Sequence, residues 1–337
     1  MLPALRIRRA TAAPADYAAL AEFPGADGVA STPDDLRAFD RACERSGAHS
    51  WRYLAQDDAG QTLGVGHFFP VNWLPDPGTY WVAARVRHPH ERRGVGSALL
   101  AQMEADLAAL GARAMWLMVP EQAPDLIAAL ARRGFSEQMR SHPYTLVVAA
   151  AAPLALEARL ARLAARGLRV STLAECRDDD PGWLDKVYAL HAALTREVPI
   201  PEKIFTSREE FAAFAVESPR ALLDAFFVVR DGDRYVGLSF MQPADAPGTL
   251  GQELTGTLPA YRGMGLAKLL KELTIDYARR RGYTRIVTWV EDQNAGMVAI
   301  NLAYGFAREP GLVLLDRPVP VAVPLLLPAQ DAVARPS

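Results

Sequence analysis

Residues 258–271 of this 337-residue chain read LPAYRGMGLAKLLK, and the rest of the sequence is best understood from this segment. The pattern predicts a strand end, a turn rich in small residues, and a helix whose leucines share one stripe. The first N–H groups of a helix lack intrahelical partners and carry partial positive charge, so this turn favours an anion. Gly263 and Gly265 let the backbone approach that anion closely, and Arg262 adds a charge that can reach phosphates.

A second copy of this pattern, HERRGVGSALL at 90–100, lies in the first half of the chain. In both copies the glycine of the turn precedes a later Gly-Phe pair by the same interval, from Gly94 to Gly134 and from Gly265 to Gly305. A hairpin pattern with an Asp/Gly turn precedes each copy. Matched landmarks in the same order indicate an internal duplication.

The duplication predicts two domains of similar architecture. We place them at 1–150 and 151–320, followed by a Pro-rich tail at 321–337. Each half has the same predicted order of elements, and the corresponding ranges are strands 5–9 and 168–172, helical regions 14–46 and 181–214, hairpins 56–69 and 230–240, strands 79–87 and 253–258, helices 96–110 and 266–281, strands 113–119 and 285–290, helices 124–132 and 295–304, and strands 144–148 and 312–315. This order is typical of an α/β (α+β) fold, a mixed twisted sheet flanked by helices.

Composition narrows the class of protein. Half of the residues are apolar, which supports packed cores, and the formal net charge of −2 gives no reason to expect nucleic acid or an acidic membrane as partner. Cys43 and Cys176 are far apart and the histidines lack metal spacing, so we expect neither a disulfide nor a metal site. No stretch has the length and apolarity of a signal peptide or a bilayer-spanning helix, which predicts a cytoplasmic protein.

Two segments of the second half resemble the GNAT acetyltransferase superfamily. The turn matches the Arg/Gln-x-x-Gly-x-Gly/Ala pattern of motif A through Arg262, Gly265 and Ala267. The downstream segment NAGMVAINLAYGF resembles the Asn-x-x-Met-x-x-x-Asn-x-x-x-Gly-Phe segment of one branch of that superfamily. The resemblance covers most of 168–316 and extends more weakly over 5–148, which is similar to the mycothiol-synthase-like tandem arrangement with one degenerate half.

The resemblance implies acetyl-CoA as cosubstrate and assigns residues to it. Backbone amides of the turn would bind the pyrophosphate, and the turn residues beside Arg262 are Gly263, Met264, Gly265, Leu266 and Ala267. Thr257 and Leu258 would contact pantetheine between splayed strands, and Asn294 and Asn301 would contact the cofactor by their side chains. The alternatives are a helix cap at Asn294 and a satisfied buried amide at Asn301. The corresponding first-half residues are Arg92, Arg93, Gly94, Val95, Gly96 and Ser97.

Glu253 is the candidate catalytic base. Acetyl transfer to an amine needs the neutral amine, and a carboxylate on the strand facing the acetyl group can accept its proton. The corresponding residue of the first half is Val82, and Glu91 replaces the expected Arg or Gln there, so we expect the second half to be active. The alternative for Glu253 is an exposed strand carboxylate.

Many GNAT enzymes protonate the CoA thiolate with a Tyr four residues before the final Gly. That position holds Leu130 in the first half and Asn301 in the second, neither of which can act as an acid. Tyr304 is a weak substitute because it lies three residues later on the helix. Glu197 falls in the region that borders the acceptor site in this superfamily, so we expect it to contact the acceptor.

The sequence therefore predicts an enzyme that passes an acetyl group from acetyl-CoA to a primary amine by direct attack. The acceptor is a small molecule or a peptide amine, and the oligomeric state is open. No Cys lies near either motif, so no covalent intermediate is expected. Two alternatives remain: an acyl-CoA-binding sensor or scaffold without turnover, and an acyltransferase for a longer chain or a non-amine acceptor.

Overall fold

The computed structural model describes residues 5–25, 31–45, 48, 50–71, 74, 78–199 and 206–320. These group into two compact units. The first contains the described residues of Met1–Val71, Asp76–Leu117 and Asp316–Ser337, and the second those of Asn72–Pro75 and Met118–Leu315. The predicted tail at 321–337 lies outside the described residues. The halves of the repeated sequence and the compact units are different divisions of the chain.

The first unit is a sheet covered by helices. Its elements are β1 (Arg6–Arg9), α1 (Pro14–Ala21), α2 (Pro33–Arg45), β2 (Trp51–Gln56), β3 (Thr62–Pro70), β4 (Thr79–Val86), α3 (Val95–Ala109) and β5 (Ala114–Pro120), of which β5 belongs to this unit as far as Leu117. Strands β1 to β4 pair antiparallel in sequence order, and β4 pairs with β5 in parallel. The parallel step follows because α3 crosses over between those two strands.

Helix α3 packs on β3 where that strand carries glycines. A Cβ at Gly66 would lie 3.1 Å from the sulfur of Met103, and one at Gly64 would lie 3.1 Å from a methyl of Val95. Close approach of this helix to the sheet therefore depends on the missing side chains. Tyr53 on β2 donates a hydrogen bond of 2.6 Å to Asp106 on α3, which ties the helix to a second strand.

The second unit contains the larger sheet. Its further elements are α4 (Pro124–Ala131), β6 (Ser136–Val147), α5 (Leu156–Ala164), β7 (Leu168–Thr172), α6 (Leu173–Asp179), α7 (Trp183–Thr195), α8 (Arg208–Ala215), β8 (Phe226–Asp231), β9 (Arg234–Pro243), β10 (Thr249–Thr257), α9 (Leu266–Arg280), β11 (Arg285–Glu291), α10 (Ala295–Ala303), β12 (Ala307–Arg308) and β13 (Leu312–Pro318), of which β13 belongs to this unit as far as Leu315. The strand order is β6-β11-β10-β9-β8-β7, with β10 and β11 parallel and the other neighbours antiparallel.

Strand β6 comes from the first half of the sequence but lies in the second unit. It pairs with β11 over seven residues, from Ser141 opposite Glu291 to Val147 opposite Arg285. His142 on β6 is fully buried and lies 2.8 Å from a carboxylate oxygen of Glu121. The strand is longer than the predicted range 144–148, because its polar first residues interrupt the apolar pattern without ending the pairing.

The sheet of the second unit buries both faces. Alternate residues of β8 enter different cores, Phe227 and Val229 on the α9 side and Phe226 and Val228 on the α7 side. This is the period of two expected of a strand covered on both sides. Burying each such side chain contributes about 1.5–3 kcal/mol.

Helices α5 and α6 are absent from the sequence prediction. Helix α6 begins with a capping box in which Thr172 and Glu175 each accept a hydrogen bond from the other's backbone N–H, at 3.2 and 2.7 Å. The predicted helical region 181–214 divides into α7 and α8, and residues 200–205 between them lie outside the described part of the chain. No helix among the described residues is long and apolar enough to cross a membrane.

Candidate active site

The candidate site opens where β10 and β11 stop pairing. Their parallel register runs from Thr249 opposite Arg285 to Gln252 opposite Thr288, and a bulge follows in β10 between Gln252 and Thr255. Residues beyond this point on both strands line a cleft of about 960 Å³. The cleft thus occupies the gap between parallel strands in which the resemblance to the GNAT superfamily implies the pantetheine arm.

The glycine-rich turn has the backbone conformation that its sequence requires. Gly263 has φ of +78° and Gly265 has φ of +81°, both in the left-handed region. A Cβ at Gly263 would meet no atom within 4 Å, and one at Gly265 would meet only a guanidinium nitrogen of Arg159 at 3.8 Å. Gly265 is the N-cap of α9 and supplies no side-chain cap, so the first amides of the helix are left for an external partner. The turn is an open cradle that any side chain would fill.

The structure brings six predicted site residues together on the wall of the cleft, namely Glu197, Glu253, Thr257, Arg262, Ala267 and Asn294. Met264, Gly265 and Leu266 line a second cavity of about 70 Å³, together with Arg159 and Arg162 of α5 and Arg166, two residues beyond that helix. Leu258, Gly263, Asn301 and Tyr304 line neither cavity.

Carboxylates dominate the charge of the cleft. Glu197, Glu210, Glu253 and Glu291 all line it. Glu253 is reached by solvent, but the surrounding walls desolvate it and raise its pKa above the usual carboxyl range, with Arg220 opposing the shift. Desolvation likewise raises the pKa of Glu291. The cleft therefore presents acidic groups that suit a positively charged or proton-releasing substrate.

Arg262 and Glu197 form an ion pair across the mouth of the site. The guanidinium lies 3.1 Å from the carboxylate, and both side chains are about half exposed. An exposed pair of this kind contributes about 0.2–1 kcal/mol, so Arg262 can exchange Glu197 for a phosphate at small cost.

The two asparagines differ in their surroundings. The side chain of Asn294 accepts a hydrogen bond of 3.2 Å from the N–H of Met297 and caps α10, while the residue also lines the cleft. Asn301 is fully buried, and neither Oδ1 nor Nδ2 has a hydrogen-bond partner among the described residues. A buried amide without partners costs free energy, so the satisfied-amide alternative for Asn301 does not describe this structure.

Tyr304 belongs to a buried network. Its hydroxyl donates a hydrogen bond of 2.8 Å to Glu272 on α9, and Arg159 donates to the same carboxylate oxygen at 2.9 Å. Burial, with this carboxylate as a second cause, raises the pKa of Tyr304 to about 12. The hydroxyl is committed to fixing α9 against α10 and α5.

Three residues of the cleft were missed by sequence reasoning. Lys271 on α9 is 1% exposed yet lines the cleft, and Glu291 ends β11. His191 on α7 packs its ring against Phe211 at 4.6 Å, and desolvation lowers its pKa to about 4, so it is neutral near pH 7. Their positions in the sequence do not indicate a role in the site. A lysine within the leucine-rich part of a predicted helix is, however, a visible exception to the apolar pattern.

The first-half turn has a similar backbone conformation but different residues. Gly94 has φ of +85° with nothing within 4 Å of its Cβ position. Arg92 has φ of +57° where the second half has Gly263, the only non-glycine residue with positive φ in the described chain. Val95 is buried beneath the turn, whereas Glu91 lies 3.4 Å from His88 and keeps a carboxylate at the expected Arg/Gln position.

Comparison with known proteins identifies the family. The sequence profile described as Acetyltransferase (GNAT) family matches residues 17–135 and 187–306. The chain belongs to the GNAT family. It is therefore a GNAT-type N-acetyltransferase with two GNAT domains in tandem, as the repeat predicted, and family membership supports acetyl-CoA as its cosubstrate.

Individual relatives agree with this assignment. The chain is 28% identical over 226 residues to a mycothiol acetyltransferase from Geodermatophilus obscurus. The aligned region covers 64% of this chain and 67% of that protein. A GCN5-related N-acetyltransferase from Sphaerobacter thermophilus is similar with a TM-score of 0.64 at 16% identity, covering 94% and 96% of the two chains. A tandem GNAT protein from the clavulanic acid biosynthesis pathway has a TM-score of 0.60 at 17% identity, covering 94% and 99%. The structural likenesses concern the fold alone.

Proposed function

We propose that the second half transfers the acetyl group of acetyl-CoA to a primary amine that carries positive charge in solution, by direct attack on the thioester. One observation carries this proposal: a cleft of about 960 Å³ joins Ala267, the second residue of α9, to an acidic wall containing Glu253. A donor held at the turn and an acceptor held at the acidic wall would meet where β10 and β11 part.

The residues around the turn fit a CoA pyrophosphate. Gly263 and Gly265 leave the backbone open, the first amides of α9 face an anion favourably, and Arg262 holds only an exposed partner. Asn301 is left out of the proposed contacts because it is fully buried and lines neither cavity, although its amide lacks a partner among the described residues. Thr257 and Leu258 are proposed to contact pantetheine through the backbone. Asn294 is proposed to contact it through the hydrogen-bonding capacity that its side-chain amide retains after capping α10.

Glu253 is proposed as the base that receives the proton of the attacking amine. It directly follows Gln252, the last residue of β10 paired with β11, and it lines the cleft. Its raised pKa brings it closer to the pH at which a general base is most effective. The ammonium first releases one proton to solvent; the neutral amine nitrogen then attacks the carbonyl carbon, the C–S bond breaks with its electron pair on sulfur, and Glu253 takes the proton that the nitrogen loses.

The acidic wall indicates the class of acceptor. Four carboxylates against one exposed arginine favour a cation, since opposite charges concentrate in a cleft of this sign. Trp289 and Phe214 add exposed apolar surface, each about half exposed. An amine carried on an organic framework would use both features, and Glu197 is proposed to contact it.

The first half is proposed to have lost its chemistry. Glu91 and Val82 replace the residues that would bind pyrophosphate and accept a proton, and Arg92 introduces a side chain where the second half has an open glycine. Val82 is buried in the core of the first unit, so its side chain serves packing there.

The proposal is tested by measuring acetyl-CoA binding first and acetyl transfer to amines second. We expect calorimetry to detect acetyl-CoA binding, and a thiol-release assay with a panel of primary amines to give turnover that is fastest for cationic amines. Matched neutral amines of the same framework serve as controls. Binding without thiol release on any amine would support the sensor or scaffold alternative, and equal rates for cationic and neutral acceptors would contradict the role of the acidic wall.

A further inference from the structure

Lys271 is an unusual residue for the middle of a core helix. Its side chain is 1% exposed, and its ammonium forms no ion pair with any described carboxylate. The Nζ donates a hydrogen bond to Oε1 of Gln252 and lies 4.6 Å from the centroid of the Phe306 ring. A buried ammonium with only neutral partners is costly, so its retention calls for a use.

The position of Lys271 is the point where the strands part. Its partner Gln252 is the last β10 residue paired with β11, and Glu253 follows it directly. The amide of Gln252 is fixed on its other side, because its Nε2 donates to Ser239 at 2.9 Å and to Thr255 at 2.8 Å. Lys271 also lines the cleft. An ammonium is therefore held by a rigid hydrogen-bond network at the apex of the proposed acetyl-transfer site.

We propose that Lys271 is the acid that protonates the departing CoA thiolate. The assignment rests on the proposed function and supplies the group that the sequence lacks at position 301. When the C–S bond breaks, its electron pair stays on sulfur and a proton from Nζ completes the thiol. Lys271 is left as the neutral amine, and Glu253 holds the proton of the acceptor. Solvent reached through the open cleft returns both groups to their starting forms.

The acidity of Lys271 suits this role. Desolvation lowers its pKa from 10.5 to about 7, whereas a free thiol has a pKa of about 8.5. Proton transfer from nitrogen to thiolate is therefore downhill, and the ammonium is still well populated near neutral pH. A lysine with an ordinary pKa would be a far weaker acid toward sulfur.

Lys271 is the proton donor at this point of the site, because the side chains that face its Nζ have no proton to release. Gln252 and Phe306, which face its Nζ, do not titrate. Glu272, next to it on α9, is bound to Arg159 and Tyr304. Other titratable groups line the same cleft. They come from α7, the segment after it, α8, β10, β11 and the turn, and they are His191, Glu197, Glu210, Glu253, Glu291 and Arg262.

The experiment compares Lys271→Met with Lys268→Met. Both replace a lysine of α9 by an apolar side chain of similar length, but Lys268 is exposed and lies outside the cleft wall. We expect Lys271→Met to lower kcat by about 10²–10⁴ with little change in the calorimetric Kd for acetyl-CoA, and Lys268→Met to keep kcat. In the wild type, kcat at saturating acceptor should fall as the pH rises through about 7, because the protonated form of Lys271 is lost. That fall should be absent from Lys271→Met.

Lys271→Arg is the second variant, because it keeps the charge but cannot release its proton at these pH values. We expect it to fold, to bind acetyl-CoA and to have a low kcat. Wild-type kcat in Lys271→Arg would overturn the proposal in favour of a charge or packing role, as would a low-kcat Lys271→Met that keeps the alkaline fall. Equal kcat in Lys271→Met and Lys268→Met would also overturn it. Lack of turnover by the wild type on every amine would instead contradict the proposed function.

Discussion

Gly265 and Gly94 form a matched pair of positions on which the proposed asymmetry of the two halves can be tested. Both are N-caps of the helix after the turn, with φ of +81° and +85°. A Cβ at either position would meet no atom of the described chain closer than 3.8 Å. Valine therefore brings a similar left-handed strain of about 1–2 kcal/mol to each unit, and its Cβ has room at both positions. Any larger difference between the two variants reports on ligand binding.

The expected difference follows from the space that valine fills. In Gly265→Val the methyl groups occupy the open side of the turn, where the pyrophosphate must approach the backbone. Each hydrogen bond to a charged group that is lost costs about 1.5–3 kcal/mol, which corresponds to a factor of about 10–150 in Kd. We expect a loss of acetyl-CoA affinity of about 100-fold or more in Gly265→Val, and turnover close to wild type in Gly94→Val.

Calorimetry gives the Kd, thiol release gives the rate, and thermal unfolding without ligand shows whether the two variants lost the same stability. An unchanged Kd in folded Gly265→Val would remove the turn from the cofactor site. A comparable loss of turnover in both variants would mean that the first half is catalytic or that the two sites are coupled.

Three further variants test the remaining assignments. Glu253→Gln should lower kcat by about 10²–10⁴ at neutral pH and abolish the fall in rate that the wild type shows as the pH drops through the raised pKa of Glu253; a wild-type pH profile would exclude it as the base. Tyr304→Phe should lower the free energy of unfolding by about 1.5–3 kcal/mol through loss of the bond to Glu272, with kcat unchanged, whereas a lower kcat at unchanged stability would restore Tyr304 as an acid. Glu197→Gln should raise KM for a cationic acceptor and tighten acetyl-CoA binding by up to about fivefold at low ionic strength, since Arg262 is released; an unchanged acceptor KM would remove Glu197 from the acceptor site.

The glycine turn was predictable because its requirements are local. Helix α9 spans Leu266–Arg280 against a predicted 266–281, and its N-cap is the glycine that the pattern indicated. Left-handed backbone and a following amphipathic stripe both leave direct signatures in sequence. In the first copy Gly94 is the N-cap of α3 in the same conformation, and the helix spans Val95–Ala109 against a predicted 96–110.

Other elements depend on partners that a linear pattern does not contain. Strand β6 begins at Ser136 although its first residues are polar; its ladder with β11 starts at Ser141, and β13 is its neighbour on the other side. Helix α6 could have been found from the capping box of Thr172 and Glu175, a signature of a helix start that the prediction left unused.

The burial of Lys271 is an exception to the usual pattern of an amphipathic helix, so the sequence did not indicate it. A charged residue beside the apolar stripe of Leu269, Leu270 and Leu273 is expected to face solvent. In this helix the buried face is wider than that stripe, because β9, β10 and β11 cover it together, and Lys271 and Thr274 are also buried. Tertiary packing, which the sequence pattern does not encode, determines which side of α9 is the inside.

Because of strand β6, loss of the first half of this gene would damage the second unit of the protein. Its codons lie in the first repeat, but its backbone completes the sheet that carries the proposed catalytic cleft. A fission of the reading frame at the repeat junction would remove that strand and leave β11 with an unpaired edge, which invites aggregation. Selection can therefore relax on the ligand chemistry of the first repeat while still holding its last strand in place, so a domain that we propose to have lost its reaction would still be inherited as part of its neighbour's scaffold.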